Sequence, residues 1–220
     1  MNEAVSHLSP SGGTSHLSPS GGTYELRHDW GGGVCPFDAG WKKVMMWVFI
    51  ITDGLLFAGF LAAYGFSRLA SPVWPEQSEV FNLSFIAAMT FVLISSSATM
   101  ASAVRASGNG EASAVSRFLW LTALGGFVFL GMQAYEWSTL IHEGARLGSN
   151  PWQVPLFTSY FFTITGFHGS HVLIGCVLLV ITALRSGKGL TRPEGVEMVG
   201  LYWHFVDLVW VFVFTCFYLL

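Results

Sequence analysis

Seven ionisable side chains stand inside, or at the edge of, stretches that are otherwise strongly apolar: Asp53, Glu136, His168, His171, Glu197, His204 and Asp207. An unpaired charge in such surroundings would be expelled, so each must be neutral, paired or hydrogen-bonded. Three kinds of chemistry fit these residue types. Carboxylates and imidazoles at hydrogen-bonding distance can pass or store protons, three imidazoles can hold a metal ion, and any of them can simply tie helices together.

Spacing separates the groups. Residues 197–220 read EMVGLYWHFVDLVWVFVFTCFYLL, long enough to cross a bilayer as one helix, for which ~20 residues suffice. At 100° per residue Glu197, Gly200, His204, Asp207, Thr215 and Tyr218 fall in one stripe, and Trp203 and Trp210 flank it as packing or lipid-facing candidates. That stripe is expected to face His168, His171 or Glu136 on neighbouring helices, away from lipid. His168 and His171 lie three apart in TGFHGSHVLIG and share a face with Gly175, while Gly166 and Gly169 occupy another face where backbones can approach. Glu136, Glu197, Asp207 or main-chain carbonyls are their candidate partners. Glu136 shares a stripe with Thr122, Gly125, Phe129 and Gln133 and therefore points into protein. Asp53 lies about nine residues into its own apolar stretch, ~14 Å along a helix axis, on a face with Met46, Phe57 and Tyr64.

The elements that must position these groups are membrane helices. Apolar residues make up 52% of the 220-residue chain and charged residues 10%, which excludes an ordinary soluble domain. A net charge of −3 points to no nucleic-acid partner. The expected fold is an all-α membrane protein: five transmembrane helices near 44–66, 80–104, 117–140, 155–184 and 199–220, joined by short Gly- and Pro-marked loops. Residues 1–43 read as a flexible polar tail. It holds the tandem repeat SHLSPSGGT at 6–14 and 15–23, no cleaved signal peptide, and a composition that cannot bury a core, so contact with another subunit is expected if it is ordered. Of three cysteines, Cys35 is in the tail and Cys176 and Cys216 are in apolar helices, with no CxxC or paired spacing.

With the N-terminus inside, the inner segments hold Arg27, Lys42, Lys43, Arg105, Arg117, Arg185, Lys188 and Arg192, and the outer ones only Arg68 and Arg146. This bias places the tail in the cytoplasm and the C-terminus outside.

FFTITGFHGSHVLIG at 161–175, YWHFVDLVW at 202–210 with Glu197 five residues before it, and MQAYEW at 132–137 with Glu136 resemble subunit III of the haem–copper respiratory oxidases. Order and spacing agree over 44–220, and the five helices match the shorter bacterial members, which lack the first two helices of the seven-helix form. Asp53 stands where that family often has a glutamate. The resemblance implies a non-catalytic subunit of a proton-pumping cytochrome c or quinol oxidase that reduces O2 to water in aerobic respiration. Such a subunit packs on the catalytic subunit I, supports proton uptake, protects against turnover-linked inactivation and gives O2 access through bound lipid. It implies haem and copper in the partner rather than in this chain, structural phospholipid, other oxidase subunits and a respiratory supercomplex as partners, and the bacterial plasma membrane as the location.

Two other readings stay open on the residues alone. One is a free-standing proton or solute transporter using Asp53, Glu136 and the histidines as a relay. The other is a small metalloenzyme at His168, His171 and His204.

Overall fold

The computed structural model describes residues 40–152 and 154–220. The tandem repeat, Cys35 and Arg27 lie outside the described residues. Five long helices form, as the apolar run lengths require: α1 (Trp41–Ala70), α3 (Leu83–Gly108), α4 (Ala112–His142), α5 (Pro155–Gly187) and α6 (Pro193–Phe214). A single-turn α2 (Gln77–Val80) sits in the loop before α3, and α6 passes into a π-helical turn, Thr215–Leu219. Neither short element was expected. α1 begins at Trp41 and so takes in Lys42 and Lys43, which the sequence reading assigned to the tail.

The boundaries follow local chemistry. Asn82 caps α3, its side-chain oxygen accepting from the Phe85 N–H at 3.3 Å. Pro155 and Pro193 open α5 and α6 at positions where a missing N–H costs nothing. Gly144 (φ +97°) and Gly189 (φ +68°) take the left-handed conformation just past the ends of α4 and α5, which a side chain would resist.

Helices α3, α4 and α5 pack in sequence order, and α6 lies against both α3 and α5. α1 joins from the α5–α6 side. Half of the apolar window of α6 is buried within the chain, against 11% for α1. α6 is therefore central and α1 peripheral, with Ile51, Leu55, Phe66 and Leu69 exposed on the outer side of α1.

Glycine makes the centre of the bundle. A Cβ on Gly126 of α4 would lie 2.6 Å from the Trp203 ring, and one on Gly175 of α5 would lie 2.9 Å from it. Trp203 fills the space so opened, and Trp210 lies against Phe129 and His168; both are fully buried. Their indole N–H groups donate to Ser96 Oγ and Thr90 Oγ1 of α3, each at 3.1 Å. A Cβ on Gly166 would lie 3.0 Å from the Trp137 ring, whereas one on Gly169 would meet nothing within 4 Å, so only the first of that expected pair has a close neighbour.

One end of the bundle gathers the starts of α1, α4 and α6 with the end of α5. Lys43 and Glu197 form an ion pair at 2.6 Å, and Ser116 and Ser186 donate to the carbonyls of Ala183 and Ala112. At the other end Ser67 and Tyr160 hydroxyls meet at 3.0 Å and Tyr64 stacks on Phe217 at 4.0 Å.

Candidate functional site: three polar contacts inside the bundle

The first contact joins α1 to α5. His171 Nδ1 lies 2.9 Å from the Phe167 carbonyl, one turn back on its own helix. A carbonyl only accepts, so Nδ1 carries the hydrogen and Nε2 faces outward. Nε2 is 3.4 Å from Asp53 Oδ2, close but not aligned as a regular hydrogen bond. The two groups can hold one proton between them, as imidazolium with carboxylate or as imidazole with carboxylic acid. Phe57 closes over both histidines, its ring centroid 5.8 Å from His171 and 6.5 Å from His168.

His168 makes the second contact. Fully buried, it donates from Nε2 to the Val206 carbonyl of α6 at 3.1 Å, between Phe129 and Trp210. Its Nδ1 has no partner among the described residues. The third contact lies between α6 and α3. His204 Nδ1 and Ser97 Oγ are 2.6 Å apart, and Asp207, buried, lies beside the same Ser97 with no regular hydrogen bond to either carboxyl oxygen. Separate from all three, Glu136 Oε2 accepts from Gln133 Nε2 at 2.9 Å and from Tyr218 OH at 3.1 Å, while Oε1 is unpartnered among the described residues.

The expected meeting of Glu197, His204 and Asp207 with His168, His171 or Glu136 is not formed. Tyr218 reaches Glu136, but Glu197, His204 and Asp207 do not reach any of the three. The stripe turns instead toward the hydroxyl-rich segment of α3, where His204 and Asp207 meet Ser97, because α6 seats Trp203 between Gly126 of α4 and Gly175 of α5 with its indole N–H on Ser96. Glu197 sits at the helix start, where Lys43 is nearer than any buried imidazole. The acid beside His171 is Asp53, which was not among the partners expected for it; of those, a main-chain carbonyl is correct for His168 and for Nδ1 of His171.

Ser97, Gln133, Tyr218, Gly126 and Gly175 complete these contacts. Gln133 already shared a stripe with Glu136, Tyr218 lay in the α6 stripe, and SSSAT at 95–99 marked α3 as polar. Nothing in the sequence pointed to Gly126 as a seat for Trp203. Among the described residues no three His, Cys, Asp or Glu side chains stand close enough together to hold a metal ion. The three intramembrane histidines each turn to a different protein group.

The family described as cytochrome c oxidase subunit III matches residues 38–220. Cytochrome c oxidase subunit 3 of Thermostichus vulcanus is 36% identical over 79% of this chain and 84% of its own length. Cytochrome c oxidase subunit 3 of Bacillus sp. (strain PS3) is 32% identical over 81% and 86%. Cytochrome bo(3) ubiquinol oxidase subunit 3 of Pseudomonas putida is 35% identical over 83% and 88%. These relatives give the transporter reading no support, and the stretch the family matches includes every polar contact described above. The chain belongs to the cytochrome c oxidase subunit III family.

Proposed function

We propose that this chain is the accessory, non-catalytic subunit III of a proton-pumping terminal oxidase that reduces O2 to water. The observation that carries the reading is the family match across the whole helical bundle. The use of His168, His171 and His204 in separate protein contacts favours it over the metalloenzyme reading. Among the described residues no His, Cys, Asp or Glu set could hold a metal ion, which supports assigning haem and copper to the partner catalytic subunit.

The partner is then subunit I, with other oxidase subunits, phospholipid and a respiratory supercomplex around it. The exposed outer side of α1 is the face best suited to lipid or a neighbouring subunit, since it buries little within this chain. Relatives named for cytochrome c and for ubiquinol match almost equally, which supports a donor choice made by other chains. The Asp53–His171 pair is the proton-linked element. It is buried, peripheral in the bundle and able to hold one proton between two side chains. The residues Lys42, Lys43, Arg105, Arg117, Arg185, Lys188 and Arg192 belong to one end of the bundle, and Arg68 and Arg146 to the other. This favours a cytoplasmic N-terminus and an outer C-terminus in the bacterial plasma membrane.

Affinity purification through this chain in mild detergent tests the assignment. Haem-bearing partners with an oxidase spectrum are expected. A chain that purifies alone, or that retains redox metal once separated from its partners, would overturn it.

A further inference from the structure

Where the chain enters α3 and leaves α4, a cavity of about 230 Å³ opens between the two helices. Its wall has two characters. Val80, Phe81, Phe85, Ile86 and Leu140 are apolar, and the remaining polar groups are acidic or neutral; among the described residues no Lys or Arg lines it. Glu136 and Glu143 both line it, seven residues apart on one face of α4 and therefore separated by ~10 Å along the axis. Glu143 is exposed at the rim and Glu136 is 7% exposed at depth.

Three further features set the sign of the ligand. Glu136 lines the cavity, and its oxygen not held by Gln133 and Tyr218 has no partner among the described residues. The carbonyl end of the α4 dipole points to this mouth and adds negative potential. The opposing positive element, the first turn of α3, has the Phe85 N–H already answered by Asn82. Thr139 donates its hydroxyl to the Tyr135 carbonyl, so its oxygen is available as an acceptor.

We propose that this cavity is a cation-selective aqueous vestibule, in which small hydrated cations enter past Glu143 and are held at Glu136. It gives Glu136 exchange with water at the bundle end opposite to Lys43 and Arg117, independent of the Asp53–His171 pair. A low-dielectric wall around a carboxylate concentrates counter-ions by ~10-fold or more.

The test uses the assembled complex in sealed vesicles of both orientations, with Thr139→Cys as reporter. The probes are a trimethylammonium-ethyl and a sulfonato-ethyl thiosulfonate, and the unsubstituted chain gives the background of the native cysteines. Val73→Cys, exposed in the loop after α1 at the same bundle end and outside the cavity, supplies the reference ratio of rates. The cationic reagent is expected to gain about tenfold over that reference at Thr139→Cys. Glu136→Gln should remove most of the gain, and Glu136→Asp should retain it. Reaction from either side of the membrane supports the vestibule, and the side that reacts reports the orientation separately. Equal ratios at the two positions, or a gain that Glu136→Gln leaves unchanged, would overturn the proposal. Should Glu136→Gln detach the subunit, Tyr135→Cys in the same wall must show the same gain, and its absence there is equally fatal.

Discussion

His171 Nε2 and Asp53 Oδ2 stand 3.4 Å apart across the α1–α5 boundary, and Nδ1 of the same ring is committed to the Phe167 carbonyl. A ring fixed in this way offers Asp53 one nitrogen, Nε2. Asp53→Asn keeps the shape and removes the proton-binding carboxylate. Slower turnover or faster turnover-linked inactivation of the oxidase is expected. Unchanged turnover, pumping and lifetime would reduce Asp53 to a tie between helices.

The same pair predicts a coupling energy. Asp53→Asn and His171→Gln, singly and together, should be non-additive by ~0.6–1.7 kcal/mol in denaturation of the detergent-solubilised chain. Additive effects would mean that the two side chains do not interact.

Gly175→Ala and Gly126→Ala force a Cβ within 3 Å of the Trp203 ring and should destabilise the bundle by ~1–3 kcal/mol. Gly169→Ala meets nothing and should be near neutral, with a slight gain from helix propensity. Trp203→Phe should rescue part of the loss at Gly175. Thermal denaturation of the four variants separates the cases, and equal losses at Gly169 and Gly175 would contradict the packing.

That glycine pair marks where sequence reading stops. Run length and apolar composition made the five helices legible, and periodicity showed that Asp53, Glu136, His168 and Asp207 turn inward. Periodicity gives a helix face but not the helix opposite it. His204 and Asp207 therefore met Ser97, and Glu197 met Lys43, because the seating of Trp203 between Gly126 and Gly175 fixed the rotation of α6. The Lys43 pairing was closest to being readable, since both residues sit at helix starts assigned to the same membrane side.

Tyr218→Phe removes the hydroxyl that donates to Glu136 and should cost ~0.5–1.5 kcal/mol. Glu136→Gln in the Tyr218→Phe background should then cost less than in the native chain. Independent losses would show that Tyr218 is not the donor that holds this carboxyl.

Orientation has its own test. Reporter domains fused at Ser149 and at Gly187 should report opposite membrane sides, with Gly187 cytoplasmic. Identical sides would overturn the alternating arrangement of α4 and α5.

The most direct test of the accessory role is to prepare the oxidase with and without this chain. The haem spectrum, metal content and initial rate of O2 reduction are then followed through continuous turnover. An accessory subunit predicts unchanged spectrum and metal content, retained initial activity and a shortened active lifetime in its absence. Loss of a haem or copper signal, or abolition of the first turnovers by a complex that is otherwise intact, would contradict it.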